Sequence, residues 1–250
     1  MVVSQGEKSS LPVGCGIPTV SHPKLKFSEH HQPMSEPSVA YRGRVKYNEE
    51  TAQRYQVREE GKHRSEMRLV DRAFTLIPKS HRVLDLPCGG GRVTVHLAQQ
   101  GYDLSSADLS EAMLAITREN VARNGLKCPV ERQDIEKLTY PDKHFDSVIS
   151  FRLFHHFPNP EIRQRAVTEL CRVARHFVAI SYFSPASVTS VKRSLRVAMG
   201  GRKSAKHPTS LAEVRSYFAK AGFRFVKDFA RMPLIHTLHV AVFEREAAGK

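Results

Sequence analysis

The sequence predicts an α/β protein with a doubly wound, mostly parallel sheet of seven strands, one of them antiparallel. First, short apolar runs alternate with amphipathic segments from His81 to Gly222, and this order requires parallel strands with helices on both faces. Second, the first run ends in an acid and a glycine-rich turn, which is typical of the ligand-binding end of such sheets. Third, the last two runs follow each other without a helix between them, so one strand must be antiparallel.

The seven predicted strands are short runs bounded by turn residues. In chain order they are residues 81–86, 102–107, 129–133, 145–151, 177–183, 223–229 and 236–244. The fourth and fifth runs, FDSVISF and FVAISYF, are predominantly apolar, which indicates strands that are buried on both faces.

The predicted helices begin at residues that favour helix N-termini. Ser110 and Asn159 are expected N-caps, and Ser210 with Glu213 has the pattern of a capping box. A further helix, with helical signals from Asn48 onward, precedes the first strand. Each of these segments has its apolar residues at three- and four-residue spacing, so each is expected to cover one face of the sheet.

Composition indicates a soluble globular domain with an N-terminal tail. Residues 1–38 are rich in Ser, Pro, Gly and His without an apolar period, which predicts a disordered tail before a domain at 39–250. No apolar run approaches the roughly 20 residues of a membrane span, and no secretory signal precedes the domain. The four cysteines and thirteen histidines lack ligand-like spacing, so no disulfide framework and no metal site is expected. These features favour a cytoplasmic protein.

The chain is strongly basic, with a formal net charge of +14 and a pI near 9.9. Such a charge attracts polyanions, so nucleic acid and anionic membrane surfaces are candidate partners. The alternative is a generally basic enzyme without a polyanionic partner. Six cations and no carboxylate lie between Lys192 and Lys206, within a predicted insert at about residues 184–207.

The strongest local signal is the segment Val83–Arg92, VLDLPCGGGR, in which an acid ends a strand and glycines lead into a helix. Glycines allow a ligand to approach the backbone closely. A dinucleotide site would need G-x-G-x-x-G to place a pyrophosphate at a helix N-terminus, and Gly89 to Gly91 lack that spacing. Asp85 would repel a pyrophosphate but suits a ligand with an ammonium group. A tight turn without a ligand is the alternative.

This segment resembles the first motif of class I S-adenosylmethionine-dependent methyltransferases, in the broad group that includes quinone and natural-product methylation. The family pattern is D/E-x-G-x-G-x-G; Asp85, Gly89 and Gly91 match it, whereas Pro87 replaces the first glycine and removes a backbone N–H. The resemblance implies a Rossmann-like methyltransferase fold and S-adenosyl-L-methionine as cofactor. It also implies that these four residues and Cys88 line the cofactor site.

Two later segments and the end of the fourth strand resemble further cofactor-binding positions of the family. Asp108 takes the position of the acid that accepts the ribose hydroxyls, with Leu109 beside it; capping of the next helix is its alternative role. Asp134 and Ile135 take the positions that meet the adenine amino group and ring, with an ordinary surface loop as the alternative. Phe151 ends strand four, which the resemblance places beneath the methyl group.

The loop after strand four is expected to line the acceptor pocket. His155 and His156 are the titratable groups nearest to the expected methyl position, where a histidine can act as general base for a phenol or hydroxyl acceptor. The alternative is that both only pack and hydrogen-bond. The family's Pro-Gly-Gly turn before strand five is absent, so that turn must be made differently. No N/D-P-P-Y/F motif follows strand four, which disfavours planar amide or exocyclic amino nitrogens as acceptors.

The insert predicts a short amphipathic lid helix followed by a mobile basic loop. Its apolar stripe would face the pocket or a lipid surface, and an ordinary surface helix is the alternative. The stripe consists of Val188, Val191, Leu195 and Ala198. Lys192, Arg193 and Arg196 are expected to point outward.

The function that the sequence favours is methyl transfer to a small-molecule acceptor. The alternatives are methylation of RNA or another polyanion, a non-catalytic member that binds the cofactor or a partner protein, and a nicotinamide oxidoreductase.

Overall fold

A seven-stranded mixed sheet forms the centre of the computed structural model, which describes residues 60–200, 206–230 and 237–247. In chain order the strands are β1 (Arg82–Asp85), β2 (Asp103–Asp108), β3 (Val130–Arg132), β4 (Phe145–Ser150), β5 (Ala174–Phe183), β6 (Phe223–Ala230) and β7 (Leu238–Arg245). They lie in the order β3-β2-β1-β4-β5-β7-β6. Strands β1 to β5 are parallel, and β7 is antiparallel to both β5 and β6. The predicted fold class is therefore confirmed. The predicted tail, residues 1–38, lies outside the described residues.

Six helices flank the sheet in the described part of the chain. They are α1 (Glu60–Phe74), α2 (Arg92–Gln99), α3 (Glu111–Arg123), α4 (Pro160–Val173), α5 (Val188–Ala198) and α6 (Leu211–Lys220), and a 3-10 turn covers Phe154–His156. The predicted N-caps are present: the side chains of Ser110, Asn159 and Ser210 accept backbone N–H groups three residues on, at 3.4, 3.0 and 3.1 Å. The Glu213 carboxylate accepts from Arg163 at 2.6 Å instead of completing a capping box.

Two apolar clusters, one on each face of the sheet, form the core. Along β5, Val178, Ile180 and Tyr182 belong to the cluster under α4 and α6, whereas Ala179 and Phe183 belong to the cluster under α1 and α2. This alternation follows from the two-residue period of a strand. Because both faces of β5 are covered, its apolar run is continuous, as the sequence indicated.

The turn that lacks glycine, between α4 and β5, is made by a direct passage from helix to strand. Helix α4 ends at Val173, and β5 begins at Ala174 in extended conformation, three residues earlier than predicted. The Arg245 guanidinium, from β7, donates hydrogen bonds to the carbonyls of Cys171 and Ala174 and lies 4.6 Å from the centre of the Phe223 ring. An arginine thus satisfies the last helical carbonyls, a task that a left-handed glycine cap often performs.

The carboxyl ends of the five parallel strands meet along one side of the sheet, here called the carboxyl edge. The glycine-rich loop follows β1 there, and the turn with Ser110, the loop 151–157 and the segment 184–187 follow β2, β4 and β5. Ligands of open α/β sheets bind at this edge. None of the helices within 60–200, 206–230 and 237–247 is long and apolar enough to span a membrane. The same residues contain no group of three or more His, Cys, Asp or Glu side chains placed to hold a metal ion.

Candidate functional site

The glycine-rich loop turns sharply between β1 and α2 because two glycines adopt left-handed backbone angles. Gly89 has φ 54°, and Gly91, the residue before α2, has φ 74°. A Cβ atom at Gly91 would lie 3.0 Å from Thr117 Cγ2 and 3.3 Å from its Cα, so Thr117 would have to shift by a few tenths of an ångström to admit a side chain. The Cys88 N–H donates to the Ala107 carbonyl at 2.8 Å, which ties the loop to β2. The loop is therefore fixed from both sides.

Two polar side chains of α3 orient the loop carbonyls. Thr117 Oγ1 donates to the Gly89 carbonyl at 2.6 Å, and Asn120 Nδ2 donates to the Gly90 carbonyl at 2.9 Å. Both carbonyls are thereby held toward α3. Neither residue was predicted from the sequence, although a three-residue spacing of polar side chains places both on the same helix face.

Asp108 joins the ends of β1 and β2. Its Oδ2 accepts the Gly89 N–H at 2.9 Å, and its Oδ1 accepts the Ser110 N–H at 2.9 Å. Burial raises the pKa of this carboxyl, and the backbone N–H groups of Ser110, Gly89 and Leu109 oppose that rise. Ser110, not Asp108, is the N-cap of α3, because its side chain accepts the Met113 N–H. The alternative role of Asp108 as helix cap is therefore wrong.

Asp85 is fully buried at the end of β1, beneath the glycine-rich loop. Its Oδ2 accepts a hydrogen bond from Thr94 Oγ1 at 2.7 Å, and Thr94 Oγ1 lies 2.7 Å from Ser106 Oγ. Among the described residues, Asp85 Oδ1 has no hydrogen-bond partner although it is buried. Burial is the main cause that raises the pKa of Asp85 to about 7, and the nearby Asp108 adds to the rise. A buried carboxylate with one unsatisfied oxygen favours a cationic ligand.

The loop after β3 lies beside Asp108. The Gln133 N–H donates to the Asp108 carbonyl at 3.1 Å, and Asp134 Oδ1 accepts the Glu136 N–H at 3.0 Å within its own turn. Ile135 is buried, whereas Leu109 is half-buried. The two loops assigned to the adenosine part of the ligand are thus adjacent in space, as the order β3-β2-β1 requires.

A buried carboxylate that the sequence analysis did not identify connects α1 to the carboxyl edge. Glu66, with none of its surface exposed, accepts from Arg92 at 2.9 Å and from Arg152 at 2.6 Å. Arg92 starts α2 directly after the glycines, and Arg152 follows the buried Phe151 with a left-handed φ of 66°. Since Arg92 follows the loop after β1 and Arg152 follows β4, Glu66 ties α1 to the carboxyl ends of both strands.

The two histidines predicted to lie near the reacting methyl group are buried in the 3-10 turn after β4. The His155 ring stacks on Phe183 with ring centroids 3.9 Å apart, and the His156 ring lies 4.2 Å from that of His155. The His207 N–H donates to the His155 carbonyl at 2.8 Å. Packing therefore holds this turn at the junction of β4 and β5.

The predicted lid helix exists as α5, but the described part of its apolar stripe faces outward. Val188 is 49% and Leu195 61% exposed, and Ala198 is exposed as well. That the stripe faces the pocket or a lipid surface stays a prediction, since the structure shows only that these residues are exposed. They are exposed because the buried Ser190 and the half-buried Val197 form the inner side of α5.

Comparisons with known proteins place a family domain over these loops. A family model described as a methyltransferase domain matches residues 83–176, which include the loops after β1, β2, β3 and β4. The ubiquinone biosynthesis O-methyltransferase of Coxiella burnetii (strain Dugway 5J108-111) is 30% identical over 95 residues, which are 38% of this chain and 40% of that protein. The chain thus spans less than half the length of this curated relative.

Solved structures share the fold over about three quarters of this chain at low sequence identity. The magnesium protoporphyrin IX methyltransferase of Synechocystis PCC 6803, with bound SAH, has a TM-score of 0.61 and 18% identity, covering 74% of this chain and 84% of that chain. The cyclase SpnF has a TM-score of 0.59 and 14% identity, covering 71% and 80%. At such identities the likeness concerns the fold alone.

Proposed function

We propose that this protein is a class I S-adenosylmethionine-dependent methyltransferase that acts on a small-molecule acceptor with a phenol or hydroxyl group. The methyltransferase-domain match over residues 83–176 and the similarity to an O-methyltransferase support this proposal. The observation that supports the proposal most is the pair of buried carboxylates around the glycine-rich loop. Asp85 and Asp108 end adjacent parallel strands, and both are at most 7% exposed. Two carboxylates there disfavour a pyrophosphate and favour a cationic ligand.

The residues around this loop fit S-adenosyl-L-methionine. Asp108 would accept the ribose hydroxyls with the lone pairs that its two backbone N–H donors leave available. The unpartnered Asp85 Oδ1 would favour the cationic amino-acid end of the ligand. Gly89 and Gly91 would allow the ligand to approach the backbone, since no Cβ projects from either. Asp134 and Ile135 would meet the adenine, and Phe151, Leu109, Pro87 and Cys88 would complete the lining.

The chemistry requires positioning more than acid–base assistance. When bound, S-adenosyl-L-methionine supplies a methyl group attached to a sulfonium sulfur. The acceptor displaces the sulfur at the methyl carbon, and the neutral thioether is a good leaving group. The chain's task is to hold donor and acceptor in line and to exclude water. Glu66 contributes by fixing Arg92, after β1, and Arg152, after β4. The buried Phe151 and Leu153 keep the end of β4 apolar.

His155 and His156 are the proposed source of a general base. A phenol or hydroxyl acceptor must lose a proton as its oxygen attacks, and a neutral imidazole can receive it. Both rings lie in the turn that follows β4, and His155 packs against the last residue of β5. This location supports a role beside the acceptor, and the close stacking keeps the two rings in fixed orientations. A cytoplasmic location also belongs to this proposal.

The experiment that tests the proposal is transfer of an isotopically labelled methyl group. Purified protein and labelled S-adenosyl-L-methionine are incubated with a cell extract that is divided into small-molecule, RNA and protein fractions, and each fraction is analysed by mass spectrometry. The proposal expects a labelled small molecule, and at a cofactor concentration near the Kd of the parent chain Asp108→Ala should reduce its labelling severalfold. Label in RNA or in protein, or no transfer at all, would contradict it. Methyl transfer is measured directly because SpnF, which shares this fold, is a cyclase, so the fold by itself does not establish the reaction.

The same assay separates a base from a packing role for the two histidines. His155→Gln and His156→Gln remove the imidazole and keep a polar side chain of similar length. A general base is expected to lower kcat on the order of 100-fold when removed, with a smaller loss at high pH, where the acceptor ionises by itself. A fall in thermal stability without a change in the pH profile would assign the residue to packing.

A further inference from the structure

Helix α5 and the residue directly after it carry the three exposed large apolar side chains found among the described residues. Val188 is 49% exposed, Leu195 61% and Met199, directly after the helix, 76%. Every other large apolar side chain whose burial the structure describes is buried or half-buried. Single exposed apolar residues need no explanation, but three on one helix face form a patch.

Cations flank this patch. At 100° per residue, positions 188, 192, 195, 196 and 199 lie on one side of a helix, and Lys192 and Arg196 are both exposed. The buried Ser190 lies on the opposite side. The sequence from Lys192 to Lys206 contains six cations and no carboxylate. An apolar stripe bordered by lysine and arginine is the pattern of a helix that lies in a membrane interface.

The insert is fixed to the carboxyl edge at both ends. At its start, the Ser184 N–H donates to the Thr237 carbonyl at 2.8 Å, directly beside the end of β5, and Ser190 Oγ donates to the Ser184 carbonyl at 3.0 Å. At its end, the His207 N–H donates to the His155 carbonyl, and the Thr209 N–H donates to the Phe183 carbonyl, both at 2.8 Å. The apolar patch and its flanking cations therefore lie beside the proposed acceptor site.

We propose that α5 docks this protein on an anionic lipid bilayer. Val188, Leu195 and Met199 enter the interface between headgroups and acyl chains, and Lys192 and Arg196 contact the anionic headgroups. Docking in this orientation turns the carboxyl edge toward the bilayer, so that an acceptor dissolved in the membrane reaches the loop after β4. This last consequence rests on the proposed function, whereas the docking itself does not.

Charge and exposure favour a bilayer over the other occupants of such a patch. A second copy of the chain would bring two clusters of cations together, and their repulsion opposes a symmetric contact through α5. A nucleic acid would use the cations, but its phosphates gain nothing from Leu195 and Met199. A bilayer with anionic lipids uses both groups at once, since apolar burial and charge attraction contribute together to interfacial binding.

The test is cosedimentation of the full chain, without cofactor, with vesicles of phosphatidylcholine alone or mixed with phosphatidylglycerol. Binding is expected only to the anionic vesicles and should weaken in high salt. Lys192→Gln with Arg196→Gln should weaken it roughly 25-fold, because each cation near such a surface contributes a factor of about five. Leu195→Ser should weaken it on the order of tenfold through lost apolar burial.

A matched control changes the same number of charges on the opposite edge of the sheet. Lys127 and Lys220 are exposed and precede β3 and β6, whose amino ends lie away from the carboxyl edge. Lys127→Gln with Lys220→Gln should leave vesicle binding within about twofold of the parent chain, because these sites lie outside the contact. An equal loss in this control would mean that net charge, and not α5, governs binding, and would overturn the proposal.

A tryptophan at position 195 reports insertion directly, because the chain contains no tryptophan. Leu195→Trp should retain vesicle binding, and its emission should shift to shorter wavelength on anionic vesicles, as for a ring in the membrane interface. Unshifted emission, or no vesicle binding by the parent chain, would overturn the proposal. So would RNA binding that is unaffected by Leu195→Ser, or a dimer that this substitution dissociates in sedimentation.

Discussion

The glycine-loop region (residues 85–134) and the insert region (residues 151–209) share the carboxyl edge of the sheet but are held together differently. In the glycine-loop region, backbone groups make the decisive contacts: Asp108 accepts two N–H groups, and Thr117 and Asn120 hold two carbonyls. In the insert region, side-chain packing dominates, with stacked rings at His155 and an apolar face of α5 exposed to solvent.

This difference indicates how each region recognises its ligand. A site made of fixed backbone groups and buried carboxylates suits one constant ligand, and the cofactor is that ligand in our proposal. A site closed by packed rings and an attached amphipathic segment can change its acceptor by exchanging side chains. Substitutions in the glycine-loop region should therefore alter cofactor affinity, and substitutions in the insert region should alter acceptor turnover or membrane binding.

The largest effect is expected from Gly91→Ala. The new Cβ would meet Thr117, whose Oγ1 holds the Gly89 carbonyl, so the loop and its bond to Asp108 must shift. Weakening the two hydrogen bonds that hold Gly89 would cost about 1.5–3 kcal/mol, so cofactor affinity measured by calorimetry should fall on the order of 10- to 100-fold. Gly125→Ala is the matched control, because Gly125 has a similar φ of 65° but open space around its Cβ position.

Both glycine variants should lose stability, by roughly 1–2 kcal/mol, because L-residues avoid left-handed angles. Only Gly91→Ala should also lose the cofactor. Equal cofactor affinity in the two variants would show that the contact between Gly91 and Thr117 does not shape the site.

A smaller effect is expected from the ionisation of Asp85. Burial raises its pKa to about 7, so a cationic ligand that needs the carboxylate must displace a proton at lower pH. Cofactor affinity should fall toward about tenfold per pH unit below pH 7, whereas Asp85→Asn should give a weaker affinity that does not change with pH in this range. Parallel profiles for the two proteins would remove Asp85 from the binding equilibrium.

Asp85 should also affect folding stability. Here the protonated carboxyl is the favoured form, whereas cofactor binding favours the carboxylate. Because its folded pKa lies above the unfolded value of roughly 4, the folded chain retains the proton, and stability falls as pH rises from about 4 to 7. Asp85→Asn should therefore raise Tm by several degrees at pH 8 and by little at pH 5. An unchanged Tm difference across this range would contradict the burial of a titrating Asp85.

The sequence predicted most of the fold and of the glycine-loop region because those features depend on local rules. Strand and helix periodicity located all seven strands, and Ser110 and Asn159 are the N-caps that their residue types favour. Gly89 and Gly91 marked positions that need left-handed angles. Such signals are contained in a few consecutive residues, so a single sequence is sufficient to find them.

Long-range partners could not be predicted in this way. Glu66 precedes Arg152 by 86 positions, and no local pattern pairs them. Arg245 replaces the missing glycine turn from 71 positions away. The exposed face of α5 could not be predicted from the sequence either, because Val188 and Leu195 have the same helical spacing whether they face a core or solvent. Each of these features depends on which elements become neighbours after folding.

The central claim, that the carboxylates and the glycine-rich loop at the carboxyl edge bind S-adenosyl-L-methionine, is tested most directly by calorimetry. The parent chain should bind S-adenosylmethionine and S-adenosylhomocysteine but not NAD. Asp108→Ala should weaken that binding tenfold or more, because a charge-assisted hydrogen bond contributes about 1.5–3 kcal/mol. Ser110→Ala, which removes the bond to the Met113 N–H but leaves Asp108 in place, should retain full affinity. Unchanged affinity in Asp108→Ala, or binding of NAD by the parent chain, would contradict the account.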